Sequence, residues 1–466
     1  MIELILNDRI IRSDRPAAIT LLDFIRYENH LYGTKIGCRE GDCGACTVLI
    51  GSLVDEGLRY ESITSCIAPL GNAVGKHVVT IEGLNLQELS PIQSALVAEG
   101  GTQCGFCTPG FVVSLVGYCL SCDQPDERGA IASIDGNICR CTGYKSIERS
   151  VARIVRDLKE STPKRIEWLV ANNFIPAWFL EIPDKLAYLK RPDQPAKGGG
   201  VIVVVGTDLY VQRPDEISDR PITLFADRKD LKSIQVKGNI CQVGAAATTT
   251  DLLESVEMNA IFPNLEKHLK LVSSTQIRNM GSLGGNFVNA SPIGDLTIFF
   301  LALNSSLVLR NEQGERRTLL LNEFYLSYKS LALEAGEYVE CVQFQRPGKS
   351  SHFNFEKVSK RTHLDIASVN SAALVTVEQG RIAAIHLAAG GIGPVPTYLR
   401  ETCVYLTGKP LTPATIGSAI ETMRGEISPI SDARGSAEYK TLLLRQLFLV
   451  HFLELFPDRF SLCELV

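Results

Sequence analysis

Three cysteines and three glycines lie together in the segment Gly37-Cys38-Arg39-Glu40-Gly41-Asp42-Cys43-Gly44-Ala45-Cys46, and a further cysteine, Cys66, follows at a distance. The spacing C-x4-C-x2-C with a distant fourth cysteine is the plant-type [2Fe–2S] pattern. Its three glycines permit the positive-φ turns that converging thiolates require. A structural zinc site or buried unligated cysteines are the alternatives, although zinc more often uses paired C-x2-C knuckles. The predicted ligands of this first cluster are Cys38, Cys43, Cys46 and Cys66.

A second group of cysteines has a different spacing. Gln103-Cys104-Gly105-Phe106-Cys107-Thr108-Pro109-Gly110 is followed, after 31 residues, by Cys139-Arg140-Cys141-Thr142-Gly143-Tyr144. The first pair precedes a predicted helix start, where free N–H groups and the positive dipole end favour an anionic cluster. A competing set exists, because Cys119 and Cys122 also form C-x2-C and could join Cys104 and Cys107 in a zinc knuckle. The spacing alone leaves both sets open.

Composition limits the class of protein. The chain has 466 residues, which favours about three domains, and 45% of them are hydrophobic. A net charge of −5 without long basic runs argues against nucleic-acid or membrane-surface binding. The N-terminus has no basic region before an apolar stretch, and no apolar run approaches a membrane span. We therefore expect a cytoplasmic protein, whose clustered cysteines bind metal rather than form disulfides.

Changes of pattern along the chain predict its organisation. Residues 1–85 are β-rich, beginning with a hairpin of Ile2–Leu6 and Ile10–Ile11. Residues 86–160 are helical: Ser90-Pro91 and Thr108-Pro109 are helix-start signals. A polar, Pro-containing stretch at 161–180 is predicted as a linker. An α/β domain at 181–348 and a further unit at 349–466 follow, the latter ending in a long helix near Tyr439–Leu455.

Two Gly-containing turns in the α/β region could hold a pyrophosphate. They lie within Val201–Leu209 and Ser282–Asn286, each after a hydrophobic stretch, and their backbone N–H groups are suited to an anion. Neither matches G-x-G-x-x-G, so a Rossmann site is not indicated. Alone, each signal is as consistent with an ordinary tight turn as with a ligand site.

The cysteine strings together resemble the two [2Fe–2S] domains of the molybdenum hydroxylases. The resemblance implies that Cys38, Cys43, Cys46 and Cys66 hold a cluster in a β-grasp ferredoxin-like domain. It assigns a second cluster, in a helical bundle, to Cys104, Cys107, Cys139 and Cys141, and leaves Cys119 and Cys122 as core thiols. Gln103 matches a glutamine near the pterin of the molybdenum cofactor. The implied architecture is α+β and multidomain, with an α/β FAD-binding domain of the vanillyl-alcohol-oxidase type and a C-terminal α+β flavoprotein domain.

The same resemblance implies a set of FAD contacts. Asp295 matches a FAD-contacting aspartate, Lys357 a flavin-binding lysine and Tyr328 a tyrosine on the nicotinamide side of the flavin. A lysine there is chemically sensible, because a cation stabilises the anionic reduced flavin; taken alone, Lys357 would be read as a solvated surface charge. The predicted contacts are Ile202, Val203, Val204, Val205, Gly206, Thr207, Asp208, Leu209, Val272, Ser282, Leu283, Gly284, Gly285, Asn286, Asn289, Asp295, Val339 and Lys357.

Two positions depart from the family pattern. Val205 stands where the family usually has glycine or asparagine, and a β-branched residue restricts the backbone beside the phosphates. Val272 stands where an aromatic residue usually lies near the isoalloxazine. These departures bear on the affinity and redox tuning of FAD.

The function implied is electron transfer for a reaction performed elsewhere. The resemblance is to the iron–sulfur/FAD subunit of bacterial members that hydroxylate hypoxanthine and xanthine to urate in purine catabolism. A molybdopterin-binding partner would deliver electrons through both clusters to FAD, which passes hydride to NAD⁺, within an α2β2 assembly. An equivalent subunit acting on nicotinate or aldehydes is one alternative. A zinc-stabilised assembly protein without enzymatic activity is the other.

Overall fold

A computed structural model describes residues 1–54, 57–158, 164–189 and 200–465. These residues divide into two compact units. The first contains Met1–Asp227 together with Ser274–Gly281, and the second contains Arg228–Ser273 and Ser282–Val466. The boundary near residue 227 falls inside the region predicted as one FAD-binding domain, so the domain limits given above remain predictions.

The first unit begins with the predicted hairpin. Its strands pair antiparallel from Ile2↔Ser13 to Leu6↔Arg9, and Asn7 at the turn has a φ of 55°. The sheet has the order β2-β1-β5-β3-β4, with β1 and β5 parallel. Thr20 caps the helix α1, which continues into a π-turn over Phe24–Glu28. The elements are β1 (Ile2–Leu6), β2 (Arg9–Ser13), α1 (Leu21–Asp23), β3 (Thr47–Val54), β4 (Gly57–Thr64) and β5 (His77–Val79).

The helical part follows the predicted start signals. Ser90 and Gln93 form a capping box with Pro91 in the first turn of α2, which satisfies free N–H groups at the helix start. The helix Lys145–Leu158 buries one face, which runs from Ile147 to Leu158. The helices are α2 (Pro91–Ala98), α3 (Thr108–Ser121), α4 (Glu127–Ser133) and α5 (Lys145–Leu158).

The prediction of a linker is wrong for the described residues 164–180. Helix α6 (Arg165–Ala171) and a 3-10 turn (Ala177–Glu181) form there, followed by α7 (Ile182–Tyr188). Leu169 and Phe179 are buried in the same core as the helices α2–α5. The polar residues that suggested a linker lie between these buried apolar side chains. Residues 161–163 of the predicted linker lie outside the described residues.

The first unit also contains the first glycine turn and a later segment. Strands β6 (Val201–Val203) and β7 (Ile222–Leu224) pair parallel, with α8 (Thr207–Gln212) and α9 (Pro214–Ser218) between them. Strand β6 therefore ends at Val203, before the first glycine turn. Ser274–Gly281, which we call the strap, belongs to this unit and holds the one-turn helix α14 (Thr275–Arg278).

The second unit contains an antiparallel sheet in the order β11-β10-β14-β9-β8. Helices of this part share an aromatic-rich core with it, including Phe287, Phe299 and Phe344. The strands are β8 (Ile234–Lys237), β9 (Ile240–Gly244), β10 (Ser306–Arg310), β11 (Arg316–Leu320), β12 (Tyr325–Ser327), β13 (Ser330–Leu331) and β14 (Tyr338–Gln345). The helices are α10 (Lys229–Lys232), α11 (Thr249–Glu254), α12 (Val256–Ile261), α13 (Leu265–Leu269), α15 (Leu283–Asn289) and α16 (Asp295–Leu301).

The C-terminal part of the second unit is an antiparallel sheet in the order β15-β16-β17-β18. The predicted long helix is confirmed: it begins at Ala437, is capped by Ser436 and packs on β15 and β16. The strands are β15 (Ser351–Val358), β16 (Val369–Glu378), β17 (Arg381–Gly390) and β18 (Thr397–Tyr398). The helices are α17 (Arg400–Leu406), α18 (Pro413–Gly425), α19 (Ala437–Leu455) and α20 (Leu462–Leu465).

None of the described helices is both long enough and apolar enough to cross a membrane.

Candidate iron–sulfur and flavin sites

The first cysteine set lies in the loop before β3 and in the turn after β4. Cys46 directly precedes β3, and Cys66 lies in a 3-10 turn after β4. Because β3 and β4 pair antiparallel with Thr47 opposite Thr64, the sheet brings the distant fourth cysteine back to the loop. Backbone N–H groups point at the sulfurs: Cys38 N donates to Cys43 Sγ at 3.4 Å and Glu40 N to Cys38 Sγ at 3.3 Å.

The four thiols of this set hydrogen-bond to one another. Cys43 and Cys66 donate to Cys38, which holds the pKa of Cys38 far below its usual range. The same contacts raise the pKa values of Cys43 and Cys66. Cys46, which is fully buried, accepts from Cys66, and its pKa is lowered. Four thiols that shift one another's pKa values in this way are a donor set suited to a cluster, because its irons would replace the thiol protons.

The loop backbone has the conformation that the glycines were predicted to permit. Gly41 and Gly44 have φ values of 81° and 66°. A Cβ at Gly37 would lie 2.5 Å from Cys43 Sγ, so a larger residue would displace a predicted ligand. These observations fit a loop wrapped around a sulfur-ligated cluster.

The second set is built from two pairs of thiols. Cys141 Sγ lies 3.6 Å from Cys104 Sγ, and Cys107 is hydrogen-bonded to Cys139. Burial, together with that contact, raises the pKa of Cys107 to about 12. Burial also acts to raise the pKa of Cys139, but hydrogen bonds from Thr142 and nearby N–H groups outweigh it and lower the pKa. The Thr142 hydroxyl donates to Cys139 Sγ at 3.2 Å.

The structure separates the competing pair from this set. Cys107 is the N-cap of α3, whereas Cys119 lies near the end of the same helix and Cys122 is its C-cap. Twelve helical residues correspond to about 18 Å of rise, so a zinc knuckle joining Cys107 and Cys119 is wrong. Cys119 is fully buried in the helical core, and burial raises its pKa well above the usual value.

The donor geometry also bears on the zinc alternative. Within the described ranges, no group of three or more Cys, His, Asp or Glu side chains is arranged to hold a single metal ion. A [2Fe–2S] cluster does not require its four ligands to converge on a single ion, because each of its two irons takes two of them. Two pairs of thiols, as in the second set, fit that requirement.

In the second unit, three side chains form a buried polar group at the start of α16, and two of them are predicted FAD contacts. Lys357 Nζ donates to Asp295 Oδ2 at 2.6 Å and to the Leu271 carbonyl at 2.8 Å. The Lys357 side chain is only 1% exposed, so its reading as a solvated charge is wrong. Asn370 Nδ2 donates to Asp295 Oδ1 at 2.6 Å. A buried cation held by a carboxylate fits a site that stabilises an anionic reduced flavin.

The fit is supported by an unsatisfied acceptor in the same group. Asn370 Oδ1 is buried and finds no hydrogen-bond partner among the described residues. Such an atom carries a desolvation cost of about 1–3 kcal/mol unless a ligand or water supplies a donor.

The turn Ser282–Asn286 starts α15, and the glycines there lie close to other backbone. Ser282 caps the helix by accepting from Gly285 N at 3.2 Å. A Cβ at Gly284 would lie 2.8 Å from Ala245 Cβ. Asn286 Oδ1 accepts from the Thr297 amide at 3.1 Å, so this asparagine ties α15 to α16, while Asn289 accepts from Lys329.

In the first unit, the turn Val204–Gly206 joins β6 to α8. Gly206 has a φ of 90°, a conformation that glycine adopts without strain. Val205 is partly buried against the core of the ferredoxin-like part, and its carbonyl lies 3.5 Å from Asn72 Nδ2. The β-branched side chain noted in the sequence is thus used for packing within this unit.

The remaining predicted flavin residues have different surroundings. Val272 and Val339 are buried in the core of the second unit. Tyr328 is 63% exposed, in the turn between β12 and β13. The role of each as a FAD contact stays a prediction.

Sequence reasoning missed several side chains that organise these sites. Asn370 is separated from Asp295 by 75 positions, and Asn137 and Gln276, described below, by 139. The nearest of these side chains to a predicted ligand in sequence are Thr142, which directly follows Cys141, and Asn137, two positions before Cys139.

Comparison with known proteins matches four family models along the chain. They are the 2Fe-2S iron–sulfur cluster binding domain at 6–70 and the [2Fe-2S] binding domain at 80–152. The FAD binding domain in molybdopterin dehydrogenase matches 187–344, and the CO dehydrogenase flavoprotein C-terminal domain matches 355–455.

Curated relatives match this chain along most of its length. The chain is 30% identical to the xanthine dehydrogenase of Emericella nidulans, over 88% of this chain and 35% of that protein. It is 26% identical to aldehyde oxidase 1 of Bos taurus, over 93% of this chain and 38% of that protein. The chain therefore spans little more than a third of the length of these curated relatives.

A solved structure shares part of the fold. It is a carbon monoxide dehydrogenase from Hydrogenophaga pseudoflava, with a TM-score of 0.50 and 24% identity, over 53% of this chain and 86% of that chain.

These findings define the class first: the chain is an iron–sulfur flavoprotein with two [2Fe–2S] domains and an FAD-binding domain. In these domains and their order, the chain is similar to the iron–sulfur and FAD part of the molybdenum hydroxylases. The predicted fold class is confirmed, and so are the two [2Fe–2S] domains and the FAD-binding domain.

Proposed function

We propose that the chain is the electron-transfer subunit of a molybdenum-containing xanthine dehydrogenase. A molybdopterin-binding partner would hydroxylate hypoxanthine and xanthine to urate. Electrons would then pass one at a time through the two [2Fe–2S] clusters to FAD and leave as hydride to NAD⁺. FAD is suited to this junction, because it exchanges one electron with clusters and two with nicotinamide.

The observation that carries the proposal is the linkage of both cysteine sets within one unit. Ile138 N donates to the carbonyl of Cys43 at 3.0 Å, so a ligand of the first set is hydrogen-bonded to the residue before Cys139, a ligand of the second. Two redox centres whose loops are joined by a direct hydrogen bond would form a route for single electrons rather than two independent structural sites.

The second set is placed to exchange electrons with another chain. Cys104 and Cys141 are exposed, Phe106 is 47% exposed, and Gln103 lies at the surface beside them. A partner that docks here would bring its own cofactor close to the cluster. Gln103, which matches a pterin-side glutamine in the family, would then face the molybdenum cofactor of the partner.

At the other end of the route, FAD would contact the turn Ser282–Asn286 of the second unit, with Asp295, Lys357 and Asn370 near the ring system. In the same proposal, the domains follow the limits 1–85, 86–160, 181–348 and 349–466. The protein works in the cytoplasm and pairs with its partner as an α2β2 heterotetramer.

Anaerobic reduction by NADH tests the proposal in the purified chain. We expect NADH to bleach the flavin band and then the iron–sulfur absorption, because electron flow through the chain is reversible. Bleaching by dithionite but not by NADH would contradict the assignment of NAD⁺ as acceptor.

A second candidate is an equivalent subunit for an aldehyde- or nicotinate-oxidising enzyme, which the similarity to aldehyde oxidase 1 over 93% of this chain favours. The complex purified from its native host distinguishes the two. We expect reduction by xanthine and hypoxanthine, whereas reduction by aldehydes or nicotinate alone would favour the second candidate.

A further inference from the structure

A buried group of polar side chains lies where the two cysteine-bearing loops meet. Asn137 precedes Cys139 by two residues and is 4% exposed. Its Nδ2 donates to the Gly44 carbonyl at 3.0 Å and to Thr47 Oγ1 at 3.3 Å. Gly44 lies between Cys43 and Cys46. One side chain thus joins the loop of the second set to the loop of the first.

Gln276, in the strap Ser274–Gly281, holds this asparagine in place. Its side chain is fully buried, and the two hydrogens of Nε2 are shared among three acceptors: Asn137 Oδ1 at 3.0 Å, Ser114 Oγ at 3.0 Å and the Ser133 carbonyl at 3.1 Å. Because a carbonyl can only accept, the Ser133 contact fixes which end of the Gln276 amide carries the NH₂ group. The Asn137 amide is then oriented with its own NH₂ group toward Gly44.

The junction has no room to shift. A Cβ at Gly110, in the first turn of α3, would lie 2.4 Å from the Gly44 carbonyl. A Cβ at Gly136 would lie 2.1 Å from Gln276 Oε1. Both glycines therefore allow backbone and side chains to approach more closely than any larger residue would permit.

Other strap contacts attach it to the same loops. Thr275 N donates to Asp135 Oδ1 at 2.7 Å, and Arg278 forms an ion pair with Asp135 at 2.6 Å. Ile277 lies against the first loop, because a Cβ at Gly41 would be 2.9 Å from Ile277 Cδ1. These contacts hold the strap, and Gln276 links it to Asn137.

We propose that Gln276 is a positioning residue for electron transfer between the two [2Fe–2S] clusters. By holding Asn137 against the Gly44 carbonyl, it fixes the separation of the cluster-bearing loops and keeps the Ile138 N–H bonded to the Cys43 carbonyl. This inference rests on the proposed electron-transfer function. It adds a residue on which that function depends and which is distant in sequence from every cysteine predicted to bind a cluster.

The test is the magnetic interaction between the clusters in the fully reduced protein. Its dipolar part falls steeply with separation, so its splitting in the EPR spectrum reports on loop spacing. We expect Gln276→Met to retain both clusters but to lose the resolved splitting. Ser114→Ala, which removes one hydrogen bond to Asn137, should weaken it and serves as the milder variant if Gln276→Met does not fold.

The matched control is Thr275→Val. This variant loses the hydrogen bond that the Thr275 hydroxyl donates to the Ala132 carbonyl and the one that it accepts from Arg278, each 2.7 Å long, but it removes no group that contacts Asn137. We expect unchanged splitting in Thr275→Val and, by hydrogen exchange, faster exchange of the peptide containing Ile138 only in the Gln276 and Ser114 variants. A merely structural role would change melting temperature in all three variants without this selectivity.

The outcomes separate this proposal from the one on which it rests. A wild-type protein with fewer than two cluster signals overturns the proposed function. Two interacting signals in the wild type that persist in Gln276→Met and Ser114→Ala, or are lost equally in Thr275→Val, overturn the positioning role alone. A wild type whose two signals do not interact also contradicts that role.

Discussion

At the scale of single residues, the position of a cysteine on its backbone decides its chemistry. Cys139 and Cys119 are both buried. Cys139 receives a hydrogen bond from the Thr142 hydroxyl and has a lowered pKa, whereas Cys119 lies among apolar side chains that raise its pKa. Of these two cysteines, only Cys139 has its pKa shifted toward the thiolate, which is the form that binds metal.

Substitution of these two cysteines gives the first prediction. Cys139→Ala should lose one cluster, and therefore about half of the iron, because a [2Fe–2S] cluster needs its full set of ligands. Cys119→Ala, the matched control, should retain all of the iron and lose only some stability through a small cavity. Iron and acid-labile sulfide analysis checks both. Equal loss of iron in the two variants would contradict the ligand assignment.

The Lys357–Asp295 pair gives the second prediction. Lys357→Met removes the partner of the Asp295 carboxylate, whose side chain is only 12% exposed. Because an uncompensated charge would then be left buried, we expect the free energy of unfolding to fall by about 3–5 kcal/mol. The variant should also contain less FAD after purification, measured by acid extraction and chromatography. Lys360→Met, at an exposed lysine three positions later, should keep its FAD. Equal FAD content in both variants would argue against Lys357 as a flavin contact.

At the scale of elements, buried histidines tie strands to helices. His451 in α19 bonds to Asn354 of β15 and to Ser371 of β16, each at 3.0 Å. His268 in α13 approaches the same asparagine at 3.2 Å. Burial lowers the pKa of His451 to about 3 and of His268 to about 4. In the first unit, burial likewise lowers the pKa of His77 to about 3.

Acid sensitivity follows from these shifts. Below the ordinary histidine pKa of about 6.5, the unfolded chain binds protons that the folded chain does not, so stability falls as pH falls toward 4. Each such histidine contributes a slope of about 1.4 kcal/mol per pH unit. Chemical denaturation between about pH 6.5 and pH 5 should show a smaller slope for His451→Gln than for the wild type. The exposed His363→Gln should match the wild type, and a slope unaffected by His451→Gln would contradict the prediction.

Elements with strong local signals could be predicted from the sequence, and those defined by tertiary contacts could not. The hairpin at Asn7 and the capping box at Ser90 carry their instructions within a few residues. Residues 164–180 were predicted as a linker, because their buried side chains, such as Phe179, are separated by polar residues. The strap has no periodic pattern, and Gln276 acquires its role only from partners more than 130 positions away.

At the scale of the whole molecule, the sites follow the same division. Close spacing along the chain predicted the ligands of the first cluster, whereas for the second cluster it left two sets open and the resemblance chose between them. The buried polar group could not be derived from spacing, because Asp295, Lys357 and Asn370 come from α16, β15 and β16. Resemblance to a family supplied two of these residues, and the structure added the third.

The domain content requires this one chain to carry two distinct [2Fe–2S] clusters together with FAD. The most direct measurement is low-temperature EPR of the dithionite-reduced protein, with iron, sulfide and flavin quantified on the same sample. We expect two separate [2Fe–2S] signals of equal spin, about four irons and four sulfides per chain, and about one FAD. A single signal, or zinc in place of iron at either cysteine set, would contradict the claim.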